Sequence, residues 1–306
     1  MATSRPWILL CPASRGIGLA LGRHLLRNTT VPILATCRGD PESTRHRLLD
    51  GLVSAGDDPS GRLEVVRLDV TREETMADAA AAAAALFPPP PASSSSSTAS
   101  GAGGGGGHHL HLAFALPGIL LNPEKSPAQV DYGSALDTFR VNALGPLLLM
   151  KWFEGFMPRK ATRLDLGSNG GSGGGDIGGY GGSSGGDALT IPPQSVWVNM
   201  SARVGSTADN QLGGWYSYRS SKAAVNSLTK SLDVQLRARA GDKAMAISYH
   251  PGTVKTELSR DFWGSVSNDA LFEPDDAAER MARVVTQIRP EQRGKCWDYK
   301  GEEVPP

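Results

Sequence analysis

The chain has 306 residues, and its 31 lysines and arginines balance 31 aspartates and glutamates, so the formal net charge is zero. This balance argues against a nucleic-acid binder, because such proteins use excess positive charge to attract phosphates. No apolar run approaches the ~20 residues that a membrane-spanning helix needs. Only six residues precede the first strand-like stretch at Trp7, which leaves no space for a cleavable signal peptide. We therefore expect a cytoplasmic protein that binds neither nucleic acid nor membrane.

Cysteine and histidine give little indication of disulfide or metal chemistry. The three cysteines, Cys11, Cys37 and Cys296, are too few for a disulfide framework and lack the spacing of zinc ligands. Buried thiols in a reducing compartment are the expected state. The run from His108 to His111 has no acidic or cysteine ligand nearby, so we do not expect it to bind a metal.

Two low-complexity tracts interrupt an otherwise ordinary composition. Residues 87–107 and 167–193 contain long runs of glycine, serine and proline. Such segments cannot bury enough apolar surface to offset the entropy lost on ordering, so we expect disordered surface insertions. Without these 48 residues, 258 remain, which is the size of one α/β domain. The whole chain is therefore expected to form a single domain.

The remaining chain alternates short apolar runs with helical stretches, the pattern of parallel strands joined by crossover helices. The predicted strands are Trp7–Cys11, Pro32–Cys37, Leu63–Leu68, Leu110–Ala115, Ser195–Ser201, Ala244–His250 and Lys295–Tyr299. The predicted helices are Gly16–Arg27, Pro41–Ser54, Arg72–Leu86, Val130–Met157, Trp215–Ala240 and Pro274–Ile288. This alternation predicts an α/β fold with a doubly wound parallel sheet of about seven strands. Such a sheet binds its ligand at the carboxyl ends of the strands, where the strand order reverses.

The first predicted strand runs directly into a glycine-containing loop, CPASRGIGLA, in which Gly16 and Gly18 open a helix. Glycines there allow the backbone to approach a pyrophosphate, and the helix N-terminus presents unpaired N–H groups to the anion. We predict that Ser14, Arg15, Gly16, Ile17 and Gly18 contact a dinucleotide cofactor. A tight structural turn between any strand and helix is the alternative.

The ends of the second and third predicted strands bear on the choice of cofactor. An NAD enzyme commonly places a carboxylate after the second strand to bind the ribose 2′-hydroxyl, but here Arg38 follows Cys37. Arg38 and Arg15 are suited to bind a 2′-phosphate, which favours NADP(H) over NAD. Solvated surface charges are the alternative for both arginines. After the third strand, Asp69 and Val70 are candidates to contact the adenine, unless Asp69 only forms a turn.

Tyr218 and Lys222 are four residues apart in a predicted helix, so their side chains share one face. A phenol normally titrates near ~10, and a neighbouring ammonium lowers that pKa. Proton transfer between Tyr218 and a carbonyl oxygen then becomes feasible. The same spacing also occurs by chance, so this pair alone does not establish an enzyme.

Three stretches in fixed order resemble the classical short-chain dehydrogenase/reductase family. They are MSARVGS (Met200–Ser206), GGWYSYRSSKAAVNSLTKSL (Gly213–Leu232) and YHPGTVKTEL (Tyr249–Leu258). The sequence looks closest to the sniffer-like and C-factor-like carbonyl reductases of that family. The resemblance covers essentially the whole chain outside the two tracts. It implies a Rossmann-type fold and hydride transfer between NADPH and a small-molecule carbonyl compound or secondary alcohol.

The resemblance also implies roles for individual catalytic residues. Tyr218 would be the general acid in reduction, and Lys222 would bind the nicotinamide ribose and lower the pKa of Tyr218. Asn142 matches the family's helix asparagine, whose backbone holds a water in the proton relay. Ser201 would donate a hydrogen bond to the substrate carbonyl.

Further cofactor contacts and an assembly are implied in the same way. Additional cofactor-binding residues would be Pro117, Gly118, Pro251, Gly252, Val254 and Thr256. The predicted helices Val130–Met157 and Trp215–Ala240 form the usual face of a homodimer or homotetramer in the family. The long connection Lys255–Phe272 is interpreted as a lid over the substrate, with Leu258, Phe262 and Trp263 as candidate pocket residues.

Three positions depart from the family's pattern. Pro12 replaces the first loop glycine and has no N–H to donate to a phosphate. Ala115–Leu116–Pro117–Gly118 replaces an Asn-Asn-Ala-Gly segment. Ser201–Ala202 replaces a Ser-Ser doublet whose second serine is catalytic, so Ser201 can substitute only if the strand end twists or bulges. Ser206 is a less favoured substitute.

These departures leave a second class of function open. A non-catalytic NAD(P)-binding sensor or scaffold module would tolerate all three, although it has no need of Tyr218, Lys222 and Asn142 together. A sugar-nucleotide epimerase or dehydratase uses a similar Tyr and Lys, but too little chain follows His250 to build its substrate domain.

Overall fold

In the computed structural model the chain folds into parallel strands joined by crossover helices. The structure describes residues 3–52, 58–90, 107–167, 189–265, 267 and 270–306. The strands are β1 (Thr3–Cys11), β2 (Ile33–Cys37), β3 (Leu63–Arg67), β4 (Gly107–Ala115), β5 (Arg163–Leu164), β6 (Ser195–Met200), β7 (Ala244–His250), β8 (Thr253–Val254), β9 (Leu271–Phe272), β10 (Cys296–Asp298) and β11 (Glu303–Val304). The helices are α1 (Gly16–Asn28), α2 (Pro41–Leu49), α3 (Glu73–Leu86), α4 (Tyr132–Phe139), α5 (Gly145–Phe153), α6 (Tyr216–Ala240) and α7 (Pro274–Gln287).

The main sheet has the strand order β3-β2-β1-β4-β6-β7-β10-β11. The ladders from β3 to β10 are parallel, and β11 pairs antiparallel with β10. From β1 the chain runs outward through β2 to β3, and it then returns to β4 on the other side of β1. The strand order therefore reverses between β1 and β4. This topology confirms the predicted doubly wound, Rossmann-type fold and directs attention to the carboxyl ends of β1 and β4.

Apolar side chains fill the space on both faces of the sheet. One core includes Leu21 of α1 and Met281 of α7, and the other includes Met76 of α3 and Phe153 of α5. Alternate residues of β1 contribute to the two cores, because successive side chains of a strand point to opposite faces. The result is a three-layer arrangement with helices on either side of the sheet.

The seven predicted strands are all present, with shifted ends. β1 begins at Thr3 rather than Trp7, because its first residues pair with β4 and β5. The strands that the sequence did not predict, β5, β8, β9 and β11, are each two residues long. Two residues are too few to show the alternation by which a strand is recognised.

The predicted helix Val130–Met157 is wrong as one continuous element. A π turn, Arg140–Leu144, separates α4 from α5, and a 3₁₀ turn follows α5. Pro146 explains the break, because proline lacks an N–H and its ring clashes with the carbonyl four residues earlier, which belongs to Asn142. The proline was a usable signal in the sequence.

The predicted insertions are too wide at their edges. Phe87 is buried and stacks on Trp7 with ring centres 4.8 Å apart. Gly107 is the first residue of β4. Ile191 is buried in one of the cores, and the backbone of Leu189 donates to the Asn28 carbonyl. The remainder of the two tracts, residues 91–106 and 168–188, lies outside the described residues.

Two of the three histidines of β4 lie in the protein interior. His109 and His111 are buried and form a hydrogen-bonded chain that begins at Ser4 Oγ and ends at the Pro192 carbonyl. Burial lowers the pKa of His109 to about 2 and that of His111 to about 4. Both rings are therefore neutral at pH 7. Within the described ranges, no group of three or more His, Cys, Asp or Glu side chains is arranged to hold a metal ion.

Candidate active site

A cleft of about 830 Å³ opens at the carboxyl ends of the strands, where the topology places a ligand. Its walls come from the glycine loop, the residues after β4 and β6, the start of α6, and the segment from His250 to Phe262. Most of the residues that the sequence assigned to catalysis or to the cofactor line this cleft. Those that do not are Ser14, Arg38, Asp69, Val70, Pro117 and Asn142.

The glycine loop packs closely enough that two of its glycines are sterically required. Gly16 has φ +54°, and a Cβ there would lie 3.2 Å from Thr256 Cγ2 across the cleft. A Cβ on Gly18 would lie 2.0 Å from the Pro12 carbonyl oxygen. Pro12 therefore fits the loop, since it contributes a carbonyl against which the first turn of α1 packs.

The N-terminus of α1 is suited to hold an anion. Arg15 occupies the N-cap position without a side-chain capping bond, and the first turn contains no acidic residue. The first N–H groups of a helix have no partners within it, and the helix dipole favours negative charge there. A dinucleotide pyrophosphate fits both features.

The basic residues around this loop are arranged differently from the prediction. Arg15 Nη1 lies 2.6 Å from Glu257 Oε2, so this guanidinium pairs with a carboxylate on the opposite wall. Arg38 is exposed at the end of β2. Arg47 of α2, which the sequence did not single out, donates to the Ser14 carbonyl oxygen at 2.7 Å. Of these three arginines, only Arg15 lines the cleft.

Asp69 forms a turn, which was the alternative to its predicted contact with the adenine. Its carboxylate accepts from the N–H and the hydroxyl of Thr71, at 2.9 and 2.7 Å. Burial by itself would raise the pKa of Asp69, but these bonds and the nearby Arg38 outweigh it and hold the pKa below its ordinary value. Val70, the next residue, lies against Gly145, where a Cβ would be 3.0 Å from Val70 Cβ.

Tyr218 and Lys222 lie one turn apart on α6, and both are buried at the wall of the cleft. Lys222 Nζ lies 5.8 Å from the centre of the Tyr218 ring and donates to the Met200 carbonyl oxygen at 2.9 Å. The end of β6 thus fixes the ammonium group. Gly205 is required beside it, because a Cβ there would lie 2.8 Å from Lys222 Cβ.

Burial controls the pKa values of both side chains. It raises the pKa of Tyr218 to about 12, and it lowers the pKa of Lys222 to about 8 against the opposing influence of Cys296. The direction of this shift is opposite to the expected lowering by Lys222, because burial disfavours the charged phenolate. Tyr218 therefore keeps its proton at neutral pH.

Asn142 fastens the loop after β4 to the helical layer. Its side chain accepts from the Ile119 N–H at 2.8 Å and donates to the Ile119 carbonyl at 2.9 Å and to Ser221 Oγ at 3.1 Å. A Cβ on Gly118 would lie 3.5 Å from Lys222 Nζ and 4.0 Å from Asn142 Oδ1. Gly118, Asn142 and Lys222 are therefore neighbours, while Pro117 is buried behind them.

Ser201 lines the cleft, and its hydroxyl is engaged by neighbouring protein groups. Ser201 is buried, and its only hydroxyl proton is donated to Asn226 Oδ1 at 2.7 Å. Ala202 has extended backbone, so its side chain points to the opposite face and contributes a methyl group to the cleft. Ser206 donates to the Pro306 carbonyl at 3.1 Å.

The segment 251–263 forms one wall of the cleft. Pro251, Gly252, Val254 and Thr256 all line it. Gly252 has φ +77°, and a Cβ there would lie 2.7 Å from the Phe272 ring. The β8–β9 ladder joins the two ends of the predicted lid, Lys255–Phe272, through the register Thr253 to Leu271 and Val254 to Phe272.

An aromatic wall stands next to Tyr218. The Trp215 ring centre lies 6.1 Å from that of Tyr218, edge to face, and 4.8 Å from that of Phe262. Leu258 also lines the cleft, whereas Trp263 donates its Nε1–H to Ser259. The substrate side of the cleft is therefore mainly apolar.

Glu124 is a buried carboxylate near Tyr218 that the sequence did not indicate. It is 5 % exposed, and its side chain accepts from the backbone N–H and the hydroxyl of Ser217. Ser217 lies 93 positions further along the chain. No local pattern in the sequence could have shown this contact.

In the described ranges, no helix combines the length and the apolar character that crossing a bilayer requires.

Sequence comparisons identify relatives among curated proteins. No protein-family model matches the chain. C-signal of Myxococcus xanthus is 29% identical over 181 residues, which cover 58% of this chain and 81% of that protein. An uncharacterized oxidoreductase of Schizosaccharomyces pombe is 23% identical over 323 residues, and that match covers 100% of both chains.

Solved structures share the fold over the full length. The NADPH-bound carbonyl reductase from chicken fatty liver has a TM-score of 0.68 and 22% sequence identity, with 100% of both chains covered. The carbonyl reductase Sniffer of D. melanogaster has a TM-score of 0.67 and 21% identity, again with 100% of both chains covered. The sequence motifs indicated a resemblance to the short-chain dehydrogenases/reductases, and among them to the sniffer-like and C-factor-like carbonyl reductases. The relatives and the shared fold confirm this resemblance.

Proposed function

We propose that this protein is an NADP(H)-dependent oxidoreductase that transfers hydride between the nicotinamide and a carbonyl compound or secondary alcohol. The observation that carries the proposal is the position of Tyr218 and Lys222. Both are buried on one face of α6 at the cleft, and the Met200 carbonyl holds Lys222 Nζ beside Gly118. The oxidoreductases and carbonyl reductases among the similar proteins support this chemistry.

The residues of the cleft fit a dinucleotide. The uncapped N-terminus of α1 would bind the pyrophosphate, and Gly16 and Gly18 leave the space that a side chain would fill. Arg38 would bind a 2′-phosphate. Pro117, Gly118, Asp69 and Val70 would shape the adenosine side, and Pro251, Gly252, Val254 and Thr256 the nicotinamide side. When bound, NADPH would supply the hydride.

Tyr218 would donate its proton to the substrate oxygen as hydride reaches the carbonyl carbon. Its raised pKa suits this direction, because the phenol is protonated at neutral pH. Lys222, with a water held by Asn142, would return a proton from solvent to the phenolate. Pro146 supports that role for Asn142, since it leaves the Asn142 carbonyl without its usual helical donor. Ser201 stays outside the reaction in this scheme, because its proton is committed to Asn226.

The substrate would be a small carbonyl compound with an apolar body. Trp215, Phe262 and Leu258 offer apolar surface beside Tyr218. We further propose a cytoplasmic location, which the three free and buried cysteines support. A homodimer or homotetramer is supported by exposed apolar side chains on the outer helices, Leu136, Leu144, Leu147 and Val234.

One observation favours the alternative function, a non-catalytic NADP(H)-binding module. The methyl group of Ala202 takes the place of a hydroxyl that would bind the substrate oxygen, so one source of transition-state stabilisation is missing. A module that only senses or carries the dinucleotide has no use for that hydroxyl.

Replacing Tyr218 by phenylalanine tests the proposal. We expect NADPH-dependent turnover of aldehydes, ketones and quinones to fall by about 10² to 10⁴-fold, because the proton donor is removed. NADPH binding, followed by fluorescence titration, should be retained. Equal turnover rates in the two proteins would remove Tyr218 from the mechanism. Tight NADPH binding by the wild type without turnover of any compound would favour the non-catalytic module.

A further inference from the structure

The helix that carries Tyr218 begins in an unusual way. Gly213, Gly214 and Trp215 have φ values of +62°, +66° and +53° in succession. Left-handed backbone is costly for a residue as bulky as tryptophan, so surrounding contacts must hold it. Trp215 provides no side-chain cap, and the first turn of α6 has no acidic residue to complement the helix dipole.

Glu124 supplies the missing cap from a distant part of the chain. Its carboxylate accepts from the Ser217 N–H at 3.3 Å and from the Ser217 hydroxyl. Its backbone carbonyl accepts from the Trp215 N–H at 2.5 Å. The left-handed Gly214 permits this approach, because a Cβ there would lie 3.1 Å from the Glu124 carbonyl oxygen. One residue thus satisfies three donors at the start of α6.

These bonds act directly beside the phenol. Ser217 precedes Tyr218, and the ring of Trp215 contacts the rings of Tyr218 and Phe262. Lys222 is held separately, one turn later, by the Met200 carbonyl. The bond that holds the ammonium is therefore separate from those that Glu124 makes.

We propose that Glu124 is a positioning residue that fixes the Tyr218 hydroxyl, through Ser217 and the start of α6, at the place where the substrate oxygen binds. This inference rests on the proposed function of Tyr218. It assigns to Glu124 the alignment of the proton donor and leaves cofactor binding to other elements.

Asp58 provides a matched control. Its carboxylate accepts from the N–H and the hydroxyl of Ser60, at 2.8 and 2.9 Å, which is the same bonding pattern as that between Glu124 and Ser217. It begins a 3₁₀ turn before β3, away from the residues that line the cleft. Asp58→Ala therefore removes the same two types of hydrogen bond at an exposed site, without touching Tyr218.

The experiment compares kcat, KM and NADPH affinity for Glu124→Ala, Glu124→Gln, Ser217→Ala and Asp58→Ala, well below each unfolding temperature. For Glu124→Ala we expect kcat to fall by about 10 to 100-fold, as a misplacement near 1 Å produces, with NADPH affinity within about threefold of wild type. Glu124→Gln should restore most of kcat, because an amide can accept from the Ser217 N–H and donate to its hydroxyl. Asp58→Ala should leave kcat unchanged.

A double variant tests the route of the effect. If Glu124 acts through Ser217, adding Ser217→Ala to Glu124→Ala should lower kcat little further. Equal kcat for Glu124→Ala and Asp58→Ala, with Tyr218→Phe inactive, would overturn this inference and leave the proposed function standing. Wild-type turnover by Tyr218→Phe would overturn the proposed function and this inference with it. Additive losses in the double variant would also contradict the inference.

Discussion

At the scale of single residues, cofactor preference depends on which arginine meets the 2′-phosphate. Arg15 pairs with Glu257, while Arg38 is exposed and close enough to Asp69 to influence its pKa. The Arg15–Glu257 pair is solvent-exposed, so it is weak and easily screened by salt. Arg38 is therefore the better candidate for discriminating NADPH from NADH.

Replacing Arg38 by alanine should weaken NADPH binding by about tenfold and leave NADH binding nearly unchanged, because only NADPH loses a charge-assisted hydrogen bond. Fluorescence titration of both coenzymes at low salt measures the two affinities. Glu257→Gln is the matched variant, since it releases Arg15 and should strengthen NADPH binding. An equal loss of affinity for both coenzymes in Arg38→Ala would contradict the assignment.

At this scale, sequence reasoning is limited by how many positions separate two residues that are in contact. Tyr218 and Lys222 were recognisable because their spacing is local and helical. The Arg15–Glu257 pair spans 242 positions, and the bond from Ser201 to Asn226 depends on how β6 meets α6. Neither contact leaves a local pattern. For the same reason the sequence could not show that burial would dominate the pKa of Tyr218.

At the scale of elements, the packing of α1 on the end of β1 determines whether the anion site forms. The closest approach is at Gly18, where the helix backbone faces the Pro12 carbonyl. The sequence indicated the glycines correctly as positions of close approach. The sequence could not show that Gly18 would pack against Pro12. The fixed φ of proline and its missing N–H indicated only that Pro12 is unsuited to bind a phosphate.

Gly18→Ala should displace α1 or prevent folding, because its Cβ would lie 2.0 Å from a backbone oxygen that has little freedom to move. We expect NADPH affinity to fall by at least about tenfold in any folded protein, since the N–H groups lose their alignment. Circular dichroism establishes folding, and titration measures affinity. Gly155→Ala is the control, because a Cβ there meets nothing within 4 Å and Gly155 does not line the cleft. Unchanged affinity in Gly18→Ala would refute the argument.

The sequence predicted where some helices begin and end better than it predicted whether a helix is continuous. Periodicity predicted the start of α1 at Gly16 and the end of α6 at Ala240. It failed at the π turn between α4 and α5, because the apolar pattern continues through Arg140–Leu144 while Pro146 interrupts the hydrogen bonding. Periodicity reports which side is buried and does not report the bond pattern.

At the scale of the whole molecule, buried histidines make stability depend on pH. In the folded protein the pKa of His109 is about 2 and that of His111 about 4, both below the ordinary value of 6.5. Below pH 6.5 the unfolded chain binds protons that the folded chain does not. Stability is therefore fully present above about pH 6.5 and is lost as the pH falls.

We expect the free energy of unfolding to decrease by about 2 kcal/mol per buried histidine between pH 7.5 and pH 5. Urea unfolding at several pH values in this window measures the slope. The double variant His109→Gln/His111→Gln should show a smaller slope, even if its stability is lower throughout. Equal stability of the wild type at pH 7.5 and pH 5 would contradict the lowered pKa values of both histidines.

The main strands were predictable at this scale because each is a short apolar run between helical stretches. The edges of the low-complexity tracts could not be predicted in this way. Phe87 and Ile191 border on glycine, serine and proline in the sequence, yet they fill the interior beside Trp7 and Ile288. Composition averaged over a tract hides single anchoring residues.

The β8–β9 ladder has a consequence for how this protein can diversify. Because Val254 pairs with Phe272, the intervening stretch leaves and rejoins the fold at one point, while the sheet and the glycine loop are built from other parts of the chain. That stretch can be exchanged between homologues as a unit if the paired residues Val254 and Phe272 at its two ends are kept. Chimeric proteins of this design should differ in substrate preference, provided that Thr256 and Glu257, which face Gly16 and Arg15 of the glycine loop, are kept.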